Sequence, residues 1–281
     1  MIRFGVMADP QYADRDTLRD LNRDFRGSLG KISVALDDLG AQELAFIVVL
    51  GDLVDGSLDD FQPVLKLFEQ SKHKIYPVFG NHDYIAAGGD RQTLAKLLNL
   101  ENTYYSWSQG GYRFVVLDTN DGEIAKKGFS RQKEHDLEAQ MGEKLSRIDY
   151  WLTNQHAWNG YVLDEQQEWL IRELEAARAA QEKVVLFGHD PLYPMVYNSL
   201  RNADEILRLL DKQQVAGTLV GYFAGHHHDG AYAELFKAPF ITFKAMVTDN
   251  GTAYSVVELD GLNVKTCGFG TENSYIFREK G

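Results

Sequence analysis

The chain has 281 residues, of which 44% are hydrophobic and 12% aromatic, enough to bury a large core and to exclude an intrinsically disordered protein. A formal net charge of -12 argues against stable nucleic-acid binding, which would require a basic surface. It leaves an anionic substrate open, because bound metal cations can reverse the local sign of the field.

Cysteine usage and the N-terminal residues lead us to expect a soluble, cytoplasmic protein. Cys267 is the only cysteine, so no intrachain disulfide can form, which fits a reducing compartment. The opening residues, MIRFGVMADP, reach a charge at Arg3 and contain no apolar run long enough for a signal peptide. No other segment is apolar over the length of a membrane span.

Short apolar segments recur along the chain, and each ends at a glycine or a polar residue. In chain order they are IRFGVMA before Asp9, LAFIVVL before Asp52, KIYPVF before His82, VVLFG before His189 and TLVGYFAG before His226. Their β-branched and aromatic content predicts buried strands. Between them, GSLGKISVALDDLGAQ and DEQQEWLIRELEAARAA carry apolar residues at helical spacing. The alternation of strands and helices predicts an α/β fold.

Residues 121–161 interrupt this alternation. Within them, RQKEHDLEAQMGEKLSRIDYWL has apolar residues at steps of three and four, which predicts an amphipathic helix inserted into a single domain of residues 1–281. Two interpretations stay open for this insert, a peripheral helix packed on the core and a lid beside a functional site.

Residues of the types that bind metal ions follow the predicted strands. They are Asp9, Gln11, Asp52, Asn81, His82, His189, His226 and His228. Because ligands gather at the carboxyl ends of strands in α/β folds, we expect these side chains to lie close together. Oxygen ligands combined with imidazoles suit Mn²⁺, Zn²⁺ or Fe, and the set is large enough for two ions that share a carboxylate.

The blocks ADPQ, GDLVDG, GNHD, FGHD and GHHH resemble, in form and order, the motifs of the calcineurin-like metallophosphoesterases. The resemblance runs from Asp9 to His228, and the five blocks together are specific although each alone is a common turn. It implies a four-layer α/β/β/α sandwich of two mixed sheets, with the site on loops at one edge. The late segments ITFKAMV, AYSVVELD and LNVKTCGFG are expected to be strands that complete the second sheet.

The resemblance also implies a role for each residue of the set. Asp9, Gln11 and His228 would hold a first metal, Asn81, His189 and His226 a second, and Asp52 would bridge the two. His82 would face the scissile phosphate, and Asp55 would orient it by accepting a hydrogen bond. The two cations would clamp the phosphate oxygens and lower the pKa of a bridging water, and His82 would protonate the leaving oxygen after in-line attack.

Three consecutive histidines occur in AGHHHDGAY, residues 224–232. If the backbone stays extended beyond the strand, His226 and His228 point to one side and His227 to the other. We therefore expect two ligands separated by a spacer.

Gln11 departs from the broad family, which usually has histidine at this position. Scaffold members of the superfamily, which bind partners and hydrolyse nothing, keep a non-catalytic interaction scaffold open as an alternative. A narrower group, the manganese-dependent ADP-ribose/CDP-alcohol diphosphatases, carries glutamine there. ADPQYAD, NRDFRGS, NGYVLDEQQEWL and AGHHHDGAY are similar to segments of that group, although Asp83 stands where it tends to have Glu. Gly56 replaces the arginine of the Ser/Thr protein phosphatases, which argues against phosphoprotein substrates.

The resemblance implies hydrolysis of the pyrophosphate bond in a small nucleotide such as ADP-ribose or a CDP-alcohol, with two divalent ions, most often Mn and otherwise Fe or Zn. A phosphodiesterase for cyclic nucleotides or phospholipid headgroups is the alternative enzyme. Arg23 and Arg26 are candidate partners of the distal phosphate, and Tyr12, Tyr84 and Tyr193 are candidates to stack on the base or line the pocket. The alternative for the arginines is that they are solvated surface charges, and the alternative for the tyrosines is that they only pack in the core.

Overall fold

The structure, a computed structural model, describes residues 1–121, 154, 156, 158–248 and 251–278. The strands are β1 (Ile2–Met7), β2 (Ile47–Leu50), β3 (Ile75–Val78), β4 (Tyr105–Gln109), β5 (Tyr112–Val116), β6 (Lys183–Phe187), β7 (Leu219–Ala224), β8 (Ala231–Leu235), β9 (Ala238–Thr242), β10 (Ala253–Asp260), β11 (Asn263–Gly270) and β12 (Ile276–Phe277). The helices are α1 (Ser28–Gly40), α2 (Phe61–Glu69), α3 (Asn81–Ala86), α4 (Arg91–Leu97), α5 (Asp164–Ala179) and α6 (Ala203–Lys212). The helix predicted within residues 121–161 lies outside the described residues.

The first sheet has the strand order β12-β11-β10-β1-β2-β3. Strands β1, β2 and β3 are parallel, whereas β10 pairs antiparallel with β1, from Ile2 opposite Leu259 to Met7 opposite Tyr254. The segments AYSVVELD and LNVKTCGFG form β10 and β11, so the prediction that they complete the second sheet is wrong. The edge of β1 away from β2 needs a partner for its backbone groups, and β10, buried over most of its length, supplies it.

The second sheet has the order β4-β5-β6-β7-β9-β8. Strands β5, β6, β7 and β9 are parallel, and β4 and β8 pair antiparallel at its two edges. Of the predicted strand ITFKAMV, only the first two residues lie in a strand, at the end of β9. Both sheets are therefore mixed, as predicted.

Three apolar layers separate four layers of secondary structure. Phe4 and Val6 of β1 point between the sheets, where Phe4 packs on Phe46 with ring centroids 5.0 Å apart. Met7, on the other face of the same sheet, packs with α1 and α2, while α5 and α6 cover the second sheet. This period-two alternation along strands buried on both faces builds the predicted α/β/β/α sandwich. Among the described residues, no helix is long and apolar enough to cross a membrane.

Candidate metal centre

One group of predicted ligands meets at the carboxyl ends of β1 and β7. The side-chain nitrogen of Gln11 lies 2.9 Å from Asp52 Oδ2 and 3.3 Å from His228 Nε2. His228 Nε2 lies 3.7 Å from Asp9 Oδ1. Ligands of one first-row cation stand about 3 Å apart, since each lies about 2.1 Å from the ion, so these side chains approach closely enough to share an ion.

A second group lies on the other side of Asp52. His189 Nε2 is 3.3 Å from Asp52 Oδ2 and 3.3 Å from Asn81 Oδ1. Ligand atoms of Asp52, His189 and His226 all lie within 4.8 Å of one another, and all three residues are buried. The Asp52 carboxylate thus contacts both groups, which is the position that a bridging ligand requires.

Hydrogen bonds fix which ring nitrogen each of two histidines turns toward this cluster. His189 Nδ1 donates to the carbonyl of Leu50 at 2.8 Å, so Nε2 is the nitrogen that faces Asp52 and Asn81. His226 Nε2 lies 2.9 Å from the amide oxygen of Asn159, whose nitrogen donates to two backbone carbonyls and so fixes the orientation of the amide. Because an amide oxygen only accepts, His226 carries its hydrogen on Nε2 and its lone pair on Nδ1.

Sequence reasoning missed Asn159 as a site residue. Its signals were the Asn-Gly dipeptide ahead of the segment that forms α5, a pattern that equally marks an ordinary turn, and its place at the start of NGYVLDEQQEWL, which is similar to a segment of the related diphosphatases. The structure gives this fully buried side chain a contact with a predicted metal ligand. It acts on the site by holding the His226 ring.

Four predicted ligands have left-handed backbone conformations. The φ angles are 47° at Asp9, 46° at Gln11, 52° at Asp52 and 64° at His226. Non-glycine residues rarely adopt these angles, which cost free energy and concentrate at functional sites. In each case the chain turns sharply just after a buried strand, so the side chain bends toward the edge shared by both sheets.

The three consecutive histidines do not continue a strand. Strand β7 ends at Ala224, and the positive φ of His226 breaks the extended backbone on which the sequence argument relied. The turn still sends the side chains in different directions. His226 and His228 lie in the cluster, while the ring of His227 packs edge-on against Tyr197, with centroids 5.5 Å apart.

His82 lies beside the cluster with one edge open to solvent. Its Nδ1 contacts Asp55 Oδ1, and its Nε2 is 3.9 Å from Asp52 Oδ2. The other oxygen of Asp55 accepts a hydrogen bond from Arg15, whose guanidinium lies 3.7 Å from the centroid of the Phe25 ring. Sequence reasoning did not identify Arg15, because a single arginine four residues beyond Gln11 belongs to no motif.

Asp83, at the position where the related diphosphatases tend to have glutamate, ties two motif loops together. One carboxylate oxygen accepts the backbone N–H groups of Leu53 at 2.8 Å and Val54 at 3.2 Å, and the other accepts that of Gly80 at 2.9 Å. Burial raises the pKa of Asp83 to about 7, and the charge of Asp52 adds to the rise. The shorter side chain therefore holds the GDLVDG loop against the start of α3.

The charges of the cluster favour a bound cation. Burial raises the pKa of Asp9 to about 7, and burial lowers the pKa of His228 to about 3, with Arg23 adding to that fall. Burial also disfavours the charged form of Asp52, but the facing His189 and His82 rings hold its pKa below the ordinary value. The amide oxygen of Gln11 is buried and has no hydrogen-bond partner among the described residues. Rotation of the amide by 180° places this oxygen between Asp52 and His228, so the residues fit a metal ion.

The two arginines predicted to contact phosphate lie in different places. The backbone of Arg23 pairs with Leu18 and Thr248, and Thr248 ends the segment in which Ala245 N–H donates to the carbonyl of His228 at 3.1 Å. Arg26 instead forms ion pairs with Asp14 at 2.8 Å and Asp16 at 2.7 Å on the exposed surface. The structure therefore brings Arg23 to the cluster and leaves Arg26 in a surface ion-pair network.

The predicted tyrosines mostly serve packing. Tyr84 is fully buried, and its hydroxyl donates to Asp118, so the structure places it in the core rather than in a pocket. Tyr12 is 7% exposed and packs in the same apolar cluster. Tyr193 packs edge-on against Phe240, with centroids 6.1 Å apart.

The four-layer sandwich, with histidine, carboxylate and amide side chains gathered at one edge, defines the class of metallophosphoesterases. The family model of the calcineurin-like phosphoesterases matches residues 2–230. The chain belongs to that family.

Curated relatives and solved structures agree with this assignment. A manganese-dependent ADP-ribose/CDP-alcohol diphosphatase from Oryza sativa subsp. japonica is 30% identical over 262 residues, which cover 83% of this chain and 79% of the relative. The protein of the same name from Mus musculus is 27% identical over 275 residues, covering 83% of this chain and 79% of the relative. The crystal structure of a dimetal phosphatase from Danio rerio covers 99% of both chains with a TM-score of 0.81 at 22% identity, which shows the shared fold.

Proposed function

We propose that the protein is a hydrolase that cleaves the pyrophosphate bond of nucleoside diphosphate-X compounds, such as ADP-ribose and CDP-alcohols, with two bound divalent ions, most often Mn²⁺. The position of the Asp52 carboxylate between two groups of ligands carries this proposal, because a shared carboxylate is the feature of a two-metal site. Two relatives named for this activity, 27% and 30% identical over 83% of the chain, support the substrate class.

The chain divides its residues between holding ions and acting on the substrate. Asp9, Gln11 and His228 would hold one ion, Asn81, His189 and His226 the other, and Asp52 would contact both. When bound, two such ions supply Lewis acidity toward the phosphate oxygens and lower the pKa of bound water.

His82 is placed to act on the leaving group. Its Nδ1 is held by Asp55, so Nε2 is the ring nitrogen that faces the cluster and the partly open edge of the site. A hydrogen bond or proton from Nε2 to the departing phosphate oxygen would offset the charge that develops as the P–O bond breaks. Arg23, whose backbone pairs with the segment bonded to His228, would contact the distal phosphate through its guanidinium.

A substrate panel tests the proposal. Metal-stripped protein is reloaded with Mn²⁺ and incubated with ADP-ribose, CDP-ethanolamine, a cyclic nucleotide and a glycerophosphodiester, and the products are separated by chromatography. We expect AMP and CMP from the first two substrates. Turnover of the phosphodiesters alone would refute the pyrophosphate assignment, and absence of bound metal after reloading would refute hydrolysis by this site.

Three variants test which residues hold the metal ions and which act on the substrate. We expect Asp52→Ala to abolish activity together with metal loading. His82→Ala should keep both ions, measured by metal analysis, and lower kcat by about 10²- to 10⁴-fold. His73→Ala is the matched control, since His73 lies away from the cluster with its Nε2 3.1 Å from the carbonyl of Gln42. Loss of metal in His82→Ala would contradict the division of roles.

We further propose that the substrate is a free small molecule and that the protein works in the cytoplasm. The single cysteine, Cys267, is an exposed free thiol, which suits a reducing compartment. The net charge of -12 disfavours nucleic acid as a partner. Fractionation of cells that express the protein, followed by immunoblotting, tests the location, and recovery in a secreted or membrane fraction would contradict it.

A further inference from the structure

Four aromatic rings pack together next to the GHHH turn. The rings of His156 and Trp158 are stacked, with centroids 4.3 Å apart and planes 6° from parallel. Tyr197 packs edge-on against both His156, at 6.2 Å, and His227, at 5.5 Å. We call these residues, His156, Trp158, Tyr197 and His227, the aromatic wall.

Two amide side chains attach the aromatic wall to a predicted metal ligand. Asn159 donates to the carbonyl of Tyr197 at 2.6 Å, and its oxygen contacts His226 Nε2. Asn198 accepts a hydrogen bond from Trp158 Nε1 at 2.9 Å and donates to the carbonyl of His226 at 3.3 Å. The wall therefore keeps a fixed position relative to the cluster.

Tyr197 is the member of the wall that presents its ring to solvent. It is 41% exposed, whereas His156 is fully buried. Its backbone is held by the bond from Asn159, so exposure of the ring does not come from a loose main chain. An exposed aromatic ring on an anchored backbone loses little conformational entropy when it binds a flat partner.

Arg23 lies next to the same turn. Its backbone pairs with Thr248, and the segment that ends there is bonded to the cluster, since Ala245 N–H donates to the carbonyl of His228 at 3.1 Å and Val247 N–H donates to the carbonyl of Asp9 at 3.0 Å. Tyr197 packs on His227, the neighbour of His228. A cationic residue and an exposed aromatic ring therefore both adjoin the loop that carries His228.

We propose that Tyr197 is the platform on which the base of a nucleoside diphosphate substrate stacks, while the phosphates lie between Arg23 and the metal ligands. The proposal rests on the proposed pyrophosphate hydrolysis and adds the residue that recognises the nucleoside. Stacking on an aromatic ring tolerates different bases, because every base has a π face. One platform thus serves both adenine and cytosine nucleotides.

The experiment compares substrates with and without a base. The Mn²⁺-loaded protein and the variants Tyr197→Ala and Tyr197→Phe are assayed with ADP-ribose, with CDP-ethanolamine and with the symmetric dimethyl diester of pyrophosphate. We expect Tyr197→Ala to raise KM for both nucleotides by about tenfold or more, with kcat changed less than about twofold. Tyr197→Phe should restore the parent KM, and hydrolysis of the dimethyl diester should be unchanged in all three proteins.

A loop control and a binding measurement complete the test. Met195→Ala removes another exposed apolar side chain of the same loop, 50% exposed, and should leave KM unchanged. Calorimetry of AMP binding to the Mn²⁺-loaded protein should show about tenfold weaker affinity in Tyr197→Ala. Equal losses with the dimethyl diester, or unchanged AMP affinity, would overturn the platform. A parent protein that hydrolyses no nucleoside diphosphate refutes the proposed function, and AMP affinity then still decides the role of Tyr197.

Discussion

Asn159 offers a sharp test of the site, because it touches a predicted ligand without being one. Replacing it by alanine leaves the Nε2–H of His226 without its acceptor at 2.9 Å and frees two backbone carbonyls that its amide nitrogen satisfies at 2.9 and 2.6 Å. The side chain is fully buried, so water does not readily replace these bonds. The His226 ring then loses the bond that fixes its orientation and its tautomer.

The expected loss of metal affinity follows from what hydrogen bonds to ligating histidines contribute in metal sites. Removal of the partner that orients a ligating histidine lowers metal affinity by about 10- to 100-fold, or about 1.4 to 2.8 kcal/mol. The effect should fall on one ion, because His226 belongs to the second group of ligands and His228 to the first. Titration of metal-stripped Asn159→Ala with Mn²⁺, followed by electron paramagnetic resonance of free Mn²⁺, should show one weakened and one unchanged site.

The matched control is Asn202→Ala. Asn202 is also buried and bonds the backbone of Val162 through both amide atoms, at 3.1 and 2.9 Å. Within the described part of the chain, its side chain forms hydrogen bonds with Val162 and Glu205 and with no residue of the cluster. Both variants should lower the free energy of unfolding, and only Asn159→Ala should weaken Mn²⁺ binding. Unchanged affinity in Asn159→Ala, or equal weakening in both variants, would refute the assigned role.

Two further predictions concern charge. Arg15→Gln removes the cation that holds Asp55, so we expect kcat to fall about tenfold or more while the metal content stays unchanged. Arg26→Gln, which removes an arginine of the exposed surface, is the control and should leave kcat unchanged in the same assay. Burial raises the pKa of Glu272 from its ordinary 4.5 to about 7, so the folded state binds this proton more tightly than the unfolded state. The free energy of unfolding should therefore fall as the pH rises from 4.5 to 7, by at most about 3 kcal/mol from this group. Urea titrations of Glu272→Gln across this pH range should show a weaker dependence of the unfolding free energy on pH. The same dependence in the variant and the parent would contradict the raised pKa.

The position of the cluster was predictable because the order and direction of the strands decide where their ends lie. Parallel strands of one sheet end at the same edge, so polar residues after β1, β2 and β3 had to approach one another. The second sheet contributes His189 and His226 from β6 and β7 at the facing edge. The motif order alone was then enough to select the residues that meet.

Other features depend on partners that local sequence does not specify. The pairing of β10 with β1 joins residues more than 200 positions apart, and the moderate alternation of β10 fits either sheet. Tyr84 directly follows the GNHD motif, yet helix α3 turns it inward to Asp118. Asn159 and Arg15 act through contacts with another side chain, so neither belongs to a spacing pattern.

The glycines of the motifs are best explained by how closely the ligands approach the backbone. A Cβ atom built on Gly80 would lie 2.1 Å from Asp52 Oδ1, and one built on Gly225 would lie 2.5 Å from Asp9 Oδ2. Both distances are far inside van der Waals contact, so any side chain there would displace a carboxylate that the cluster needs. The backbone of Gly80 is extended and that of Gly225 needs no positive φ, so turn formation alone does not require glycine at either position. Glycine precedes Asn81 and His226 because the absence of a side chain lets the loop after one strand lie directly against the carboxylate of a residue that follows another strand.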